Sequence, residues 1–180
     1  MDGDTQALAE TWRRYSPMVL RLAKRTLGSQ FEAEDVAQEV FYRLYRRAKR
    51  IENPQSLRSF VYAMTVHALK SELYRRKVRS WLFFEQPQTL SNLGWKTTDM
   101  ESRDLVRRFH ALLERLPTRE RLVFILRRME AMTVEEIATA MEISESTVKR
   151  AMTTASSRLT RWISADPDLE SAFDAERWKR

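Results

Sequence analysis

The 180-residue chain contains no cysteine, which excludes disulfides, thiolate metal sites and thiol nucleophiles. Glycine is nearly as scarce, at three residues, and there are five prolines. Sustained alternation of apolar and polar residues is also missing, so no sheet is expected. No stretch approaches the ~18 consecutive apolar residues of a membrane span. The acidic start, MDGDTQALAE, lacks the apolar run of a signal peptide. These absences point to an all-α protein, soluble and cytoplasmic. The chain has two histidines and no glycine-rich phosphate loop. Its acidic pairs, Glu34-Asp35 and Glu135-Glu136, are neighbours in helical segments, and adjacent helix positions do not face each other. No enzyme activity, cofactor or metal is expected.

What the chain does have is positive charge and apolar residues in helical register. The net charge is +7 and 43% of residues are hydrophobic, enough to build real cores. Residues 1–80 hold 16 basic and 9 acidic residues, and Arg43 to Arg79 alone holds 11 basic ones against Glu52 and Glu72. Such a concentration on a small domain is a candidate phosphate-binding footprint. Residues 103–180 are nearly balanced, with 15 basic and 13 acidic.

A first helix is expected over 5–27, with Leu8, Trp12, Tyr15, Val19, Leu22 and Ala23 on its apolar side. Pro17 inside it would kink or divide it, and Gly28 is placed to end it. Ser29 and Glu32 form a capping-box pattern for a second helix that runs to about Arg50. IENPQS, 51–56, is a loop by its Asn-Pro turn signal. A third helix spans about 57–77, and its FVYAMTVHAL is apolar almost all round, as in the centre of a bundle. From Trp81 to Ser102 helical period is lost and a linker is expected. Its Trp81, Leu82, Phe83, Phe84 and Trp95 are costly to leave in water. Beyond it, Leu105, Val106, Phe109, Leu112, Leu113 and Leu116 make another stripe, with His110 read as a surface residue. Thr118 follows as the expected cap of a helix carrying Leu122, Val123, Ile125, Leu126 and Met129. The tail after Ser164 reads as weakly helical at best.

The second helix has two unlike sides. Ala33, Val36, Ala37, Val40, Phe41, Leu44 and Tyr45 recur at helical spacing and form its apolar side. Glu34, Asp35, Gln38 and Glu39 crowd into six residues beside them. An acidic, amide-bearing face in a basic protein needs a partner of its own.

Two capping signals bracket VEEIATAMEISESTVKRAM. Thr133 with Glu136 is a capping box, and Met132 with Ile137 fits a hydrophobic staple. Ser144 is the second cap, with Ile143 and Val148 as a second staple. Two short helices thus start eleven residues apart. Ile137, Ala138, Met141, Ile143, Val148 and Met152 can close a small core between them. This is the helix-turn-helix pattern, whose second helix reads the major groove. Glu142 stands where many such turns carry Gly, so a strained, non-glycine turn is expected. Ser144, Glu145, Ser146, Thr147, Lys149, Arg150 and Thr153 form the candidate reading surface.

Taken in order, these segments resemble bacterial sigma factors, in particular the small two-domain extracytoplasmic-function group of the sigma-70 family. DVAQEVFYRLY looks like the signature of sigma domain two, and SFVYAMTVHALKSELYRRK resembles its promoter-melting helix. LLERLPTRERLVFILRRMEAMTVEEIATAMEISESTVKR is similar to sigma domain four. The resemblance covers about residues 10–165. It implies a sigma domain two over 1–80, a linker over 81–102, a sigma domain four over 103–165 and a tail over 166–180. It implies core RNA polymerase and promoter DNA as partners, and an anti-sigma protein as the usual inhibitor. By position, Asp35, Gln38, Glu39 and Tyr42 would meet the β′ clamp helices, and domain four would meet the β flap tip. Glu52, Asn53, Gln55, Ser56, His67, Lys70, Tyr74, Arg75, Arg76 and Lys77 would take the minus-ten element, on a helix face that also holds Ser59 and Val66. Ser144–Thr147, Lys149, Arg150 and Thr153 would take the minus-thirty-five element. His67 and Ser71 stand where many relatives carry Asn or Asp, and Ala151, Thr154 and Ser156 where they often carry Arg or Lys. The alternative is a stand-alone helix-turn-helix regulator, which accounts for Val134–Met152 but not for the acidic face.

Overall fold

The computed structural model describes residues 2–47, 57–83 and 100–172. They form eight helices, with no strand among the described residues. In order these are α1 (Asp2–Leu27), α2 (Gln30–Arg47), α3 (Leu57–Phe83), α4 (Met100–Glu114), α5 (Thr118–Arg128), α6 (Val134–Met141), α7 (Glu145–Ile163) and α8 (Pro167–Ala172). None is long and apolar enough to cross a membrane. The chain folds as two compact units, one centred on α1–α3 and the other on α4, α5, α7 and α8, with α6 leading into α7.

In the first unit the three helices pack pairwise. α1 runs unbroken through Pro17, whose ring is exposed. Gly28 then ends it in the left-handed region, at φ 69°, and donates its N–H to Lys24 O at 2.8 Å. The hydroxyl of Ser29 accepts the Glu32 N–H at 3.3 Å and opens α2. The Glu32 carboxylate does not close the expected box; it reaches Arg76 on α3 instead. Val19, Leu22, Val40, Val61, Val66 and Leu69 are among the fully buried side chains. Trp12 is partly exposed and rests a tilted ring 4.5 Å from that of Phe41.

Two expectations fail here. α3 continues to Phe83, so 81–83 belong to a helix and not to the linker. The run RRKVRS has good helix formers and no Gly or Pro to stop it. Tyr45, counted with the apolar stripe, is 55% exposed. At about 100° per residue it has rotated past the arc that holds Ala33 to Leu44. The loop 51–56, the end of the second helix beyond Arg47, and Phe84 and Trp95 of the linker lie outside the described residues.

In the second unit α5 packs on α7, and α8 packs on α4 and α7. Phe109 and Leu113 of α4 are buried, and so is the whole run Leu122 to Leu126 on α5. Ala155, Leu159 and Ile163 line the inner side of α7. Three further expectations are corrected. His110 is 3% exposed, with Nδ1 3.8 Å from Glu114 Oε1. One turn of helix places it beside Phe109 and Leu113, and its ring packs as an apolar body with a polar edge. Thr118 is the first helical residue, and Pro117 is the cap, without a side-chain bond. The tail forms α8: Asp166 accepts the N–H groups of Asp168 and Leu169, at 3.2 and 3.3 Å, and Leu169 is buried.

Candidate nucleic-acid and polymerase interfaces

The helix-turn-helix forms as its sequence signals require. Thr133 and Glu136 cap each other reciprocally. The Thr133 N–H donates to the Glu136 carboxylate at 2.7 Å, and the Glu136 N–H donates to the Thr133 hydroxyl at 3.1 Å. α6 ends in a Schellman turn. The Ile143 N–H donates to Ala138 O at 3.0 Å and the Glu142 N–H to Thr139 O at 3.3 Å. Glu142 takes the left-handed position at φ 56°, where a residue with Cβ is strained. Ile137, Met141 and Val148 are buried, and Ala138, Ile143 and Met152 half-buried.

Ser144 then caps α7, accepting the Thr147 N–H at 3.3 Å. Its hydroxyl is therefore committed to the helix start, and it also lies 3.0 Å from the Ser146 hydroxyl and 2.8 Å from that of Thr147. Glu145, Ser146, Lys149, Arg150 and Thr153 are exposed, and Thr147 is half-buried. Lys149 Nζ lies 3.6 Å from Glu145 one turn earlier, an exposed pair that solvent or a ligand can open. α7 is longer than the short helix expected, at 19 residues, and its inner side stays buried through Ala155, Leu159 and Ile163. Ala151 is 7% exposed, so this position packs against the unit and cannot hold a phosphate-seeking Arg.

On α2 the two sides separate as read. Ala33, Val36, Ala37, Val40, Phe41 and Leu44 are buried. Asp35 and Gln38 are exposed, and Glu39 is half-buried and holds Arg43 Nε at 2.5 Å. Tyr42 is 59% exposed, with the Arg46 guanidinium 5.8 Å from its ring centre. Phe31, at 73% exposure, extends this side toward the start of the helix and was not singled out in the sequence.

On α3, Tyr74, Arg75 and Lys77 are exposed, and His67 and Lys70 half-buried. Val66, placed on this face by spacing, is fully buried and belongs to the core. Arg75 pairs with Glu72 on its own helix, while Arg76 turns inward to Glu32 of α2. Arg79, which sequence reasoning passed over, is exposed and lies 2.9 Å from Glu72. Glu52, Asn53, Gln55 and Ser56 lie outside the described residues.

A three-helix unit with one acidic face and a second unit carrying a capped helix-turn-helix define a DNA-binding transcription protein of two helical domains. Family models place it further. Sigma-70 region 2 matches residues 11–81, and sigma-70 region 4 matches residues 107–159. The SigD extracytoplasmic-function sigma factor of Mycobacterium bovis is 29% identical over 174 residues, which cover 92% of this chain and 81% of that one. The sigma-H factor of Pseudomonas aeruginosa is 26% identical over 156 residues, covering 82% and 81%. The fold is similar to that of RpoE from Bartonella quintana, solved in complex with the anti-sigma factor NepR. That likeness has a TM-score of 0.70 at 15% identity and covers 89% of this chain and 99% of that one. It is also similar to CnrH, solved with the cytosolic domain of CnrY, at a TM-score of 0.65 and 20% identity, covering 92% of each chain. The chain belongs to the sigma-70 family, among its extracytoplasmic-function members. It is a transcription initiation factor that directs RNA polymerase to promoters.

Proposed function

We propose that α2 is the polymerase-docking helix, with Asp35, Gln38, Glu39 and Tyr42 against the clamp helices of β′. The observation that carries this is the sidedness of α2. Six residues are buried on one side, and acidic and amide groups stand opposite in a chain of net charge +7. An acidic face meeting protein and basic faces meeting DNA orient the docking by charge. A stand-alone regulator has no use for such a face.

Residues 1–80 then act as sigma domain two. His67, Lys70, Tyr74, Arg75 and Lys77, with Glu52, Asn53, Gln55 and Ser56 of the preceding segment, take the non-template strand of the minus-ten element. Flipping bases out of the stack costs about a few kcal/mol, which stacking and phosphate contacts must offset. Residues 103–165 act as sigma domain four. Glu145, Ser146, Thr147, Lys149, Arg150 and Thr153 face the minus-thirty-five element, while Ser144 sets the start of the reading helix, and the domain meets the β flap tip. The linker passes toward the active-site cleft of polymerase. An anti-sigma protein is the inhibitor; the two similar solved structures are a sigma factor bound to NepR and CnrH bound to the cytosolic domain of CnrY. The chain works without a cofactor or catalysis of its own.

The test is run-off transcription on sheared genomic DNA by core polymerase with the full chain. Discrete transcripts that vanish with Lys149→Ala/Arg150→Ala support the assignment. Equal transcription by wild type and double variant would remove α7 from promoter recognition.

A further inference from the structure

The basic end of α3 does not present its charges equally. Arg76 donates to both carboxylate oxygens of Glu32, with Nε at 2.9 Å from Oε1. The two residues are 44 positions apart on different helices, and their side chains are only 23% and 25% exposed. Glu32 leaves its local capping box open in order to make this contact. Arg75 and Arg79 are different. Their side chains are 62% and 54% exposed, and both lean on Glu72 of their own helix. Arg79 also lies 3.8 Å from Glu32.

The physical consequence is a division of labour. A pair within one helix whose guanidinium is exposed contributes little, and a phosphate can compete for that guanidinium. A bidentate, part-buried pair between helices is another matter, since removing Arg76 would leave Glu32 relying on the looser contact to Arg79, 3.8 Å away. A phosphate that recruited Arg76 would have to break it away from α2. Arg75 and Arg79 share Glu72, whose side chain is 13% exposed, so either can turn to a phosphate while the other still covers that carboxylate, and Lys77 is exposed.

We infer that Arg76 is a positioning residue that ties α3 to the first turn of α2, and that Arg79 joins Arg75 and Lys77 as the phosphate contacts. This rests on the sigma reading above. Glu32 lies three residues before Asp35, so the same carboxylate fixes the DNA-binding helix to the polymerase-docking helix. The reading of charge in sequence alone, which counted Arg76 as a backbone contact, misses this because it cannot see which arginine has a partner on another helix.

The test uses full-length chain on core polymerase and a promoter fragment recovered by run-off, prepared as a fork with a single-stranded minus-ten non-template strand. Binding is measured across salt concentrations. Arg75→Ala and Arg79→Ala should each flatten the log–log salt slope by about 0.7, the share of one single-strand phosphate contact. Arg76→Ala should weaken DNA binding severalfold, leave the slope unchanged and leave co-elution with core polymerase intact. The exchange Glu32→Arg/Arg76→Glu should recover most of the lost DNA binding, whereas Arg76→Glu alone should not. Should Arg76→Ala fail to fold, Arg76→Gln, which removes the charge and the bidentate contact with Glu32, should likewise weaken binding at an unchanged slope. A slope change at Arg76 equal to that at Arg75, or no recovery in the exchange, would overturn the inference while the sigma reading stands. Failure of the wild-type chain to co-elute with core would overturn both.

Discussion

The hydroxyl of Ser144 accepts the backbone N–H of Thr147 at 3.3 Å, and this one bond sets where α7 begins. The residues proposed to face DNA on α7 are counted from it. Removing the cap should cost about 1 kcal/mol. Ser144→Ala should therefore lower the unfolding midpoint of the second unit, and Ser144→Asn should largely keep it. Denaturant melts of the full chain check this. Equal midpoints for Ala and wild type would mean the cap contributes nothing.

Ala131 ends the turn after α5 at φ 55°, and nothing in its sequence neighbourhood announces a left-handed residue there. It is exposed, so a change at this site tests backbone strain with little loss of packing. Ala131→Gly relieves the Cβ clash, worth about 1 kcal/mol, against a smaller entropic penalty in the unfolded chain. The expected outcome is a rise in stability of a few tenths to about 1 kcal/mol in the same melts.

Leu169 is 1% exposed on α8, a helix that extends past the segment matched by the region 4 model. Truncating a fully buried leucine costs about 2–5 kcal/mol. Leu169→Ala should detach α8 and speed amide exchange there before the rest of the unit responds. Hydrogen exchange that is unchanged in residues 167–172 would contradict this packing.

Acid should weaken the second unit through Asp104. Partial burial pushes its pKa up, but the Arg107 hydrogen bond and the charges of Arg108 and Arg107 outweigh it, and the carboxyl titrates below its ordinary 3.8. Arg108 is held protonated more firmly by its hydrogen bond to Asp168 and the charge of Asp104. A depressed carboxyl contributes stability that is present above its ordinary pKa and lost as pH falls through the folded one. The midpoint difference between wild type and Asp104→Asn should thus be constant from about pH 7 to 5 and close below about pH 4. A difference that does not shrink as pH falls below about 4 toward full protonation would show that the contribution is not ionic.

Much of this was legible in sequence because the signals were local. The apolar stripe of α2, the box at Thr133 and Glu136, and the cap at Ser144 each lie within a few residues. The strained turn at Glu142 followed from the missing glycine. What escaped depended on distant partners. His110 is buried with Phe109 and Leu113 while Arg108 and Ala111 beside it are exposed, and no spacing on α4 alone reveals how far round the covered side extends. Glu32 fits a capping box in sequence, yet a guanidinium 44 residues away outcompetes the local N–H. α8 was a missed reading of a different kind, since Asp166 before Pro167 is a cap followed by a favoured first residue. The proposed docking and reading residues are grouped by spacing alone, while the proposed division of roles among the α3 arginines rests on geometry that sequence does not show.

The most direct measurement is size-exclusion co-elution of the full chain with bacterial core RNA polymerase, comparing wild type with Gln38→Ala/Glu39→Ala. The account predicts tight co-elution of wild type and clear loss in the double variant, with both chains equally helical. Wild-type chain that stays apart from active core, or a double variant that binds as well as wild type, would contradict the placement of the polymerase face on α2.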